Sequence, residues 1–159
     1  RDPFKAEGYI LKLSQFLRTT LQAEKEDLVS VENDLAVGIN YLEIQSIRFE
    51  GGFKIENKLK LDESNSDQVP ILTFQTLFEN ILKHNKVSEE DPILISIYQD
   101  DKGYLVVENS RHPNWTSSED SAGVGLENLR QRFTLKGGED IMIDQSDSIF
   151  SVKFKALKG

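Results

Sequence analysis

The stretch FENILKHN, residues 78–85, crowds amides, an ammonium group and an imidazole into about two helical turns. At 100° per residue, Asn80, Lys83 and His84 fall on one flank of a helix, within about 100° of one another. Phe74, Leu77, Phe78, Ile81 and Leu82 recur at i, i+3, i+4, i+7 and i+8, the face that a core would cover. An amide oxygen can enter the shell of a hard divalent cation, and an ammonium with an imidazole can meet phosphate oxygens. The set suits a metal–triphosphate. A solvated polar helix face is the plainer reading of the same residues.

A second stretch, GVGLENLRQRF at 123–133, opens a helix with two glycines one residue apart. Glycines at a helix start let backbone N–H groups approach an anion, and the helix dipole favours negative charge there. Gly-x-Gly alone is common, and a tight loop-to-helix turn explains it equally well. The order carries more information: amide-bearing helix, hairpin, long polar loop, glycine-opened helix, hairpin.

The elements that must position these residues can be read from periodicity. Ile10, Leu13, Phe16, Leu17 and Leu21 fall at helical spacing, followed by a charged break, EKED. Ser30 is a good N-cap for a second helix, with Glu32 and Asp34 in its first turn and a stripe of Val31, Leu35, Ile39 and Leu42. Gly38 interrupts that stripe mildly. GFKIENKLKL reads as a strand and DESNSDQ as a polar loop closing at Pro70. PILISIYQ and YLVVENS flank DDKG, a hairpin signature. Residues 110–122 read as a long loop containing Pro113 and Trp115. A helix from Val124 to Lys136 stops at Gly137-Gly138, and EDIMIDQ with SIFSVKFKA forms a closing hairpin. The expected fold is α+β, a two-layer sandwich with an N-terminal helical piece.

Composition narrows the function classes. The 159 residues suffice for one packed domain with a short appendage, and 38% hydrophobic with 29% charged is globular composition. Nineteen basic against 27 acidic side chains give a net charge of −8, which argues against broad contact with nucleic acid or anionic membrane. A local basic pocket for one phosphate group remains compatible with that sign. Cysteine is absent, so the chain has neither a disulfide framework nor a thiolate metal site. No run approaches the roughly 18 apolar residues of a membrane span, and no signal peptide is visible. A start at Arg1 is expected for part of a longer or processed protein.

With these segments in order, the sequence resembles the C-terminal part of sensor histidine kinases of the type associated with LytTR response regulators. LSQFLRTTL is similar to the end of that family's second dimerisation helix, and VENDLAVGINYLEIQSIRF to the link into its ATP-binding domain. VPILTFQTLFENILKHN resembles the N box and its approach, and GVGLENLRQRF the last glycine box. The resemblance implies a Bergerat-type ATP-binding fold over residues 49–159, with residues 1–48 as the end of the dimerisation region and its linker. It implies ATP and Mg²⁺ as cofactors. Asn80 would then ligand Mg²⁺, Lys83 and His84 would stand near the phosphates, and Gly123, Gly125 and Leu126 would line the phosphate end. Asn109 falls at the position of the family's adenine-binding aspartate. A homodimer of the full-length protein, a response regulator of the LytTR type and a bacterial membrane anchor outside this cytoplasmic portion follow from the same likeness.

Two departures bear on function. The wider superfamily carries an Asp-x-Gly-x-Gly box where this chain reads NSRHP, with Asn109, Arg111 and Pro113 at the informative positions. The phosphoacceptor histidine has no counterpart here, since the two histidines are His84 in the N box and His112 in the polar loop. The acceptor is expected outside this chain. The altered box favours an alternative reading, a degenerate signalling module of the same fold; the intact N box and glycine box oppose it. An ATPase of the gyrase or chaperone type would carry a glutamate four residues before the asparagine, and that position is Thr76. His112 and Trp115 are expected on the loop surface, and Arg130 and Arg132 on the solvated side of the last helix, from which one of them could reach the phosphates.

Overall fold

The Ser30 hydroxyl accepts the Asn33 N–H at 3.2 Å and so caps α2 (Val31–Arg48), as its residue type predicts. The computed structural model describes residues 3–23, 27–62, 66–112 and 124–159. Ahead of α2 lie α1 (Pro3–Ala23) and β1 (Leu28–Ser30); β2 (Phe53–Asn57) and β3 (Asp67–Pro70) follow. Then come α3 (Thr73–His84), β4 (Ile93–Gln99), β5 (Leu105–Ser110) and α4 (Val124–Leu135). The chain closes with β6 (Met142–Gln145), β7 (Ile149–Phe154) and β8 (Leu157–Lys158).

The main sheet runs β2-β4-β5-β7-β6, parallel between β2 and β4 and antiparallel elsewhere. The expected hairpin between β4 and β5 turns at Asp100–Gly103. Asp100 Oδ1 accepts the N–H groups of Lys102 and Tyr104, both at 2.9 Å, and Gly103 takes a φ of 84° that a side chain would resist. Alternation sends Ile93, Ile95 and Ile97 to the same face as Leu105, Val107, Val152 and Phe154, all buried. The Phe154 ring centroid lies 5.7 Å from Phe74 of α3 and 5.5 Å from Phe133 of α4, so both helices cover that face. Leu94, Met142 and Ile149 stay exposed. The two-layer α/β sandwich expected from the sequence is what forms.

Helix α2 belongs to the same core, through Val31, Leu35 and Leu42. Its Gly38 is a point of close approach rather than a simple interruption. A Cβ there would stand 2.8 Å from Phe74 Cβ and 2.8 Å from the Phe78 ring, so the two helices pack nearly backbone to side chain. Helix α1 starts earlier than its apolar stripe suggested. It is tied to α2 by an ion pair from Lys12 to Glu43 and by Asn40 donating to the Lys12 carbonyl. Ile10 and Leu17 of the α1 stripe are exposed.

A second sheet, β1-β3-β8, has no counterpart in the sequence reading. Its strands are two to four residues long, too short for alternation to show, and their partners are distant in sequence. The strand expected over GFKIENKLKL ends at Asn57, whose Oδ1 accepts the Leu59 N–H at 3.0 Å and turns the chain away.

Candidate functional site

Helix α3 carries two polar flanks beside its apolar face. Gln75 and Glu79 lie on the α2 side, with Gln75 Nε2 donating to Glu79 Oε1 at 2.9 Å. Burial pushes the Tyr41 hydroxyl of α2 up to about 12, Glu79 adds to that rise, and Arg48 opposes it. On the other flank stand Thr76, Asn80 and His84, four residues apart and therefore one above another. Asn80 and His84 are half-buried and Lys83, at the rim, is exposed. Asn85 donates to the Ile81 carbonyl at 2.8 Å and closes the helix, which makes it a structural member of the motif.

The start of α4 abuts the second flank. A Cβ on Gly125 would stand 3.7 Å from Thr76 Cγ2, an ordinary contact distance, so the first turn of α4 lies directly beside the Thr76–Asn80 stripe. Leu126 turns inward and is buried, anchoring that turn. The first N–H groups of a helix have no partner within it and suit an anion. Gly123, Pro113 and Trp115 lie outside the described residues. Asn109 sits on β5 opposite Ile95 and Phe150, on the helix-facing side of the sheet, 1% exposed. Its Nδ2 donates to the Ser110 carbonyl at 2.9 Å. The structure thus sets Gly125 beside Thr76, one turn before Asn80 on the same flank, and puts Asn109 on the sheet face below the helices.

Arg111 and His112 are anchored. Arg111 N–H donates to Ser148 O at 2.8 Å and its guanidinium to Ser146 O at 3.0 Å, while His112 Nδ1 stands 3.2 Å from Asp91 Oδ2. Arg130 forms a two-point pair with Asp140 at 3.0 and 2.6 Å. Arg132, expected on the solvated side of α4, is half-buried and donates to the Ile71 carbonyl.

Asp34 is the residue that local reading misplaced. Its position suggests an acidic first-turn residue serving the dipole of α2. It is instead 2% exposed and caps α3, Oδ1 accepting the Leu72 N–H at 2.7 Å and Oδ2 the Phe74 N–H at 2.9 Å. Burial pushes its carboxyl up to about 6, against the pull of those N–H groups and of Arg132. One signal was available: Ile71-Leu72 offers α3 no capping side chain, so an acceptor had to come from elsewhere.

A cavity of about 410 Å³ opens elsewhere, between α2 and residues 57–61, with an apolar floor of Leu35, Ile39, Leu59 and Leu61. Glu32 and Glu43 line it, which disfavours a polyanion. Among the described residues no group of three His, Cys, Asp or Glu could hold a metal ion. A divalent cation at the α3 flank would therefore draw most of its oxygen ligands from phosphates and water, as Mg²⁺ commonly does.

The described residues form a mixed sheet with helices covering one face. The family model described as histidine kinase matches residues 1–53. The sensor histidine kinase/phosphatase LytS of Staphylococcus aureus (strain MRSA252) is 29% identical, over 84% of this chain and 25% of LytS. The chain thus spans about a quarter of the length of the LytS relatives it matches. The cytoplasmic segment of histidine kinase QseC superposes with a TM-score of 0.52 at 13% identity, covering 94% of this chain and 95% of that one. The mycobacterial sensor histidine kinase MprB gives 0.50 at 14% identity, with 83% and 99% covered. The likeness to sensor histidine kinases read from the motifs is borne out, and the fold is that of their cytoplasmic segments.

Proposed function

We propose that this chain is the catalytic, ATP-binding portion of a two-component sensor histidine kinase. It positions Mg-ATP for phosphoryl transfer to a histidine outside the chain, and from there to a response regulator. The observation that carries the reading is the contact of α4's first turn with Thr76, which lies one turn before Asn80 on the same flank of α3, at a helix start whose first N–H groups have no partner within the helix. Bound there, Mg-ATP supplies the transferable γ-phosphoryl and the divalent charge. Asn80 Oδ1 offers a hard ligand to the cation, and Lys83 and His84 offer cationic or donor groups to the phosphates. The N–H groups of Gly125 and Leu126, with Gly123 ahead of them, take the phosphate end. Asn109 accepts the adenine amino group. The work asked of the chain is positioning and charge neutralisation, which is most of what phosphoryl transfer needs. No catalytic group is assigned within it.

Residues 49–159 form the ATP-binding domain in this reading, and residues 1–48 its link to a dimerisation region. The full-length protein is a homodimer, cytoplasmic here and anchored in the membrane elsewhere; no helix among the described residues is long and apolar enough to cross one. A response regulator of the LytTR type is the proposed partner. One observation favours a degenerate, non-catalytic module of the same fold: Arg111 stands where the superfamily has a glycine and is pinned by two hydrogen bonds to residues 146 and 148. Calorimetric titration decides between the two. The chain is expected to bind ATP in a Mg²⁺-dependent manner and Asn80→Ala to lose that dependence while staying folded. Unchanged Mg-ATP binding in the variant removes Asn80 from the site.

A further inference from the structure

We infer that Asp34 of α2 is a positioning residue for the phosphate-binding flank: its carboxylate fixes where α3 begins, and hence where Asn80 and His84 stand. The inference rests on the nucleotide reading above and adds to it a residue from the segment that leads in from α1.

Helix α3 lacks the means to fix its own start. Leu72 precedes it in the left-handed region, at φ 61° and ψ 26°, and supplies no side-chain cap. A branched residue adopts that conformation only where its surroundings hold it. Asp34 is the holder, one oxygen on the Leu72 N–H and the other on the Phe74 N–H. The Thr73 hydroxyl donates back to the Pro70 carbonyl at 2.5 Å, and Arg132 reaches in from α4 to the Ile71 carbonyl. Three helices therefore meet at residues 71–74.

One turn further along α2, Gly38 lies against Phe74 and Phe78 with no room for a methyl group. Two fixed points on α2, at Asp34 and Gly38, leave α3 unable to slide or rotate on it. Asn80 lies six residues beyond Phe74, about 9 Å along a helix that packs as a rigid rod. A displacement at the cap is therefore carried to the flank. Misplacing a reacting or binding group by about 1 Å can cost about 100-fold in function. The Lys12–Glu43 pair and the Asn40 hydrogen bond join α1 to the same α2, so the placement of α1 bears on α3 through this joint.

A purely stabilising cap makes a different prediction: lower stability, with the folded protein binding nucleotide as before. Asn at position 34 keeps one acceptor and turns an NH₂ toward the other N–H. The test compares Asp34→Asn with Ile97→Ala, a core truncation on β4, at pH 8, where Asp34 is ionised and both its oxygens accept, and under conditions where both variants are fully folded. Amide exchange along α3 and Mg-ATP affinity are measured in each. Asp34→Asn is expected to exchange at least tenfold faster from Phe74 through Asn80 than Ile97→Ala at equal global stability, and to bind Mg-ATP at least tenfold more weakly. Exchange and affinity that match the Ile97→Ala control overturn the inference. If the unmodified chain binds no Mg-ATP, the nucleotide reading fails by itself, and the exchange arm alone decides whether Asp34 positions α3. If Asp34→Asn does not fold, Asp34→Glu, which moves the carboxylate outward by one methylene, gives the same comparison.

Discussion

Replacing Gly38 by alanine sets two effects of known size against each other. In a helix interior alanine is favoured over glycine by about 1 kcal/mol, and Gly38 has ordinary helical geometry, so propensity alone predicts a gain. Packing opposes it. The new Cβ would lie 2.8 Å from Phe74 Cβ and 2.8 Å from the Phe78 ring, and both phenylalanines are fully buried. Phe74 Cβ is attached to the backbone and cannot swing away, so α2 and α3 must part by several tenths of an ångström. Overpacking of this kind costs about 1–3 kcal/mol, and an unyielding neighbour puts it at the upper end. The expected net loss is about 1–2 kcal/mol, a fall in Tm of about 2–8 °C for a chain this long. Gly8→Ala is the matched control, because a Cβ there meets nothing within 4 Å and only the propensity gain remains. Urea denaturation followed by circular dichroism should move the two variants in opposite directions. A Gly38→Ala protein as stable as the parent would refute the close packing of α2 on α3.

Two further outcomes follow from buried polar groups. Asp34 has a carboxyl pushed up from 3.8 to about 6, so the folded state holds its proton more tightly than the unfolded chain does. The stability this gives is complete below pH 3.8 and lost as pH rises through 6, a change of about 3 kcal/mol that Asp34→Asn should not show. Parallel pH–stability curves for the two proteins, or a parent that gains on the variant above pH 4, would mean that the amide donors outweigh burial. Asn109→Asp removes the donor that meets the Ser110 carbonyl and sets a carboxylate against it, at a cost of about 1–3 kcal/mol in the nucleotide-free protein. The same change should tighten ATP by about 1 kcal/mol, roughly fivefold, and raise the ATP/GTP ratio measured by calorimetry. Weaker ATP or an unmoved ratio would take Asn109 out of the adenine site.

Helices α3 and α4 were legible because their apolar periods are strong and their ends carry local signals: the α3 stripe, and Gly137-Gly138 after α4. The main sheet's hairpin was legible from DDKG between β-branched runs. What could not be read locally depends on contacts between distant segments. Asp34 looks like a first-turn acid of α2, and only the fold reveals that its partners are 38 and 40 residues away. Gly38 looks like a flaw in a helix until Phe74 and Phe78 are set against it. Strands β1, β3 and β8 are too short to show a period, and Arg132 reads as a surface residue because its acceptor, the Ile71 carbonyl, belongs to another element. The candidate site was legible as two separate motifs; their contact at Thr76 and Gly125 is a property of the fold.

The central claim, that this chain holds Mg-ATP between α3 and α4, is tested most directly by thermal unfolding with and without nucleotide. A ligand that binds only the folded state adds about 2.7 kcal/mol at 100 times its dissociation constant. For a chain of 159 residues that is a rise in Tm of about 5–11 °C. The account predicts such a rise with ATP and Mg²⁺ together, and a smaller one with either alone. No shift at millimolar ATP and Mg²⁺ would contradict it, and would leave a signalling module that keeps the kinase fold without its nucleotide.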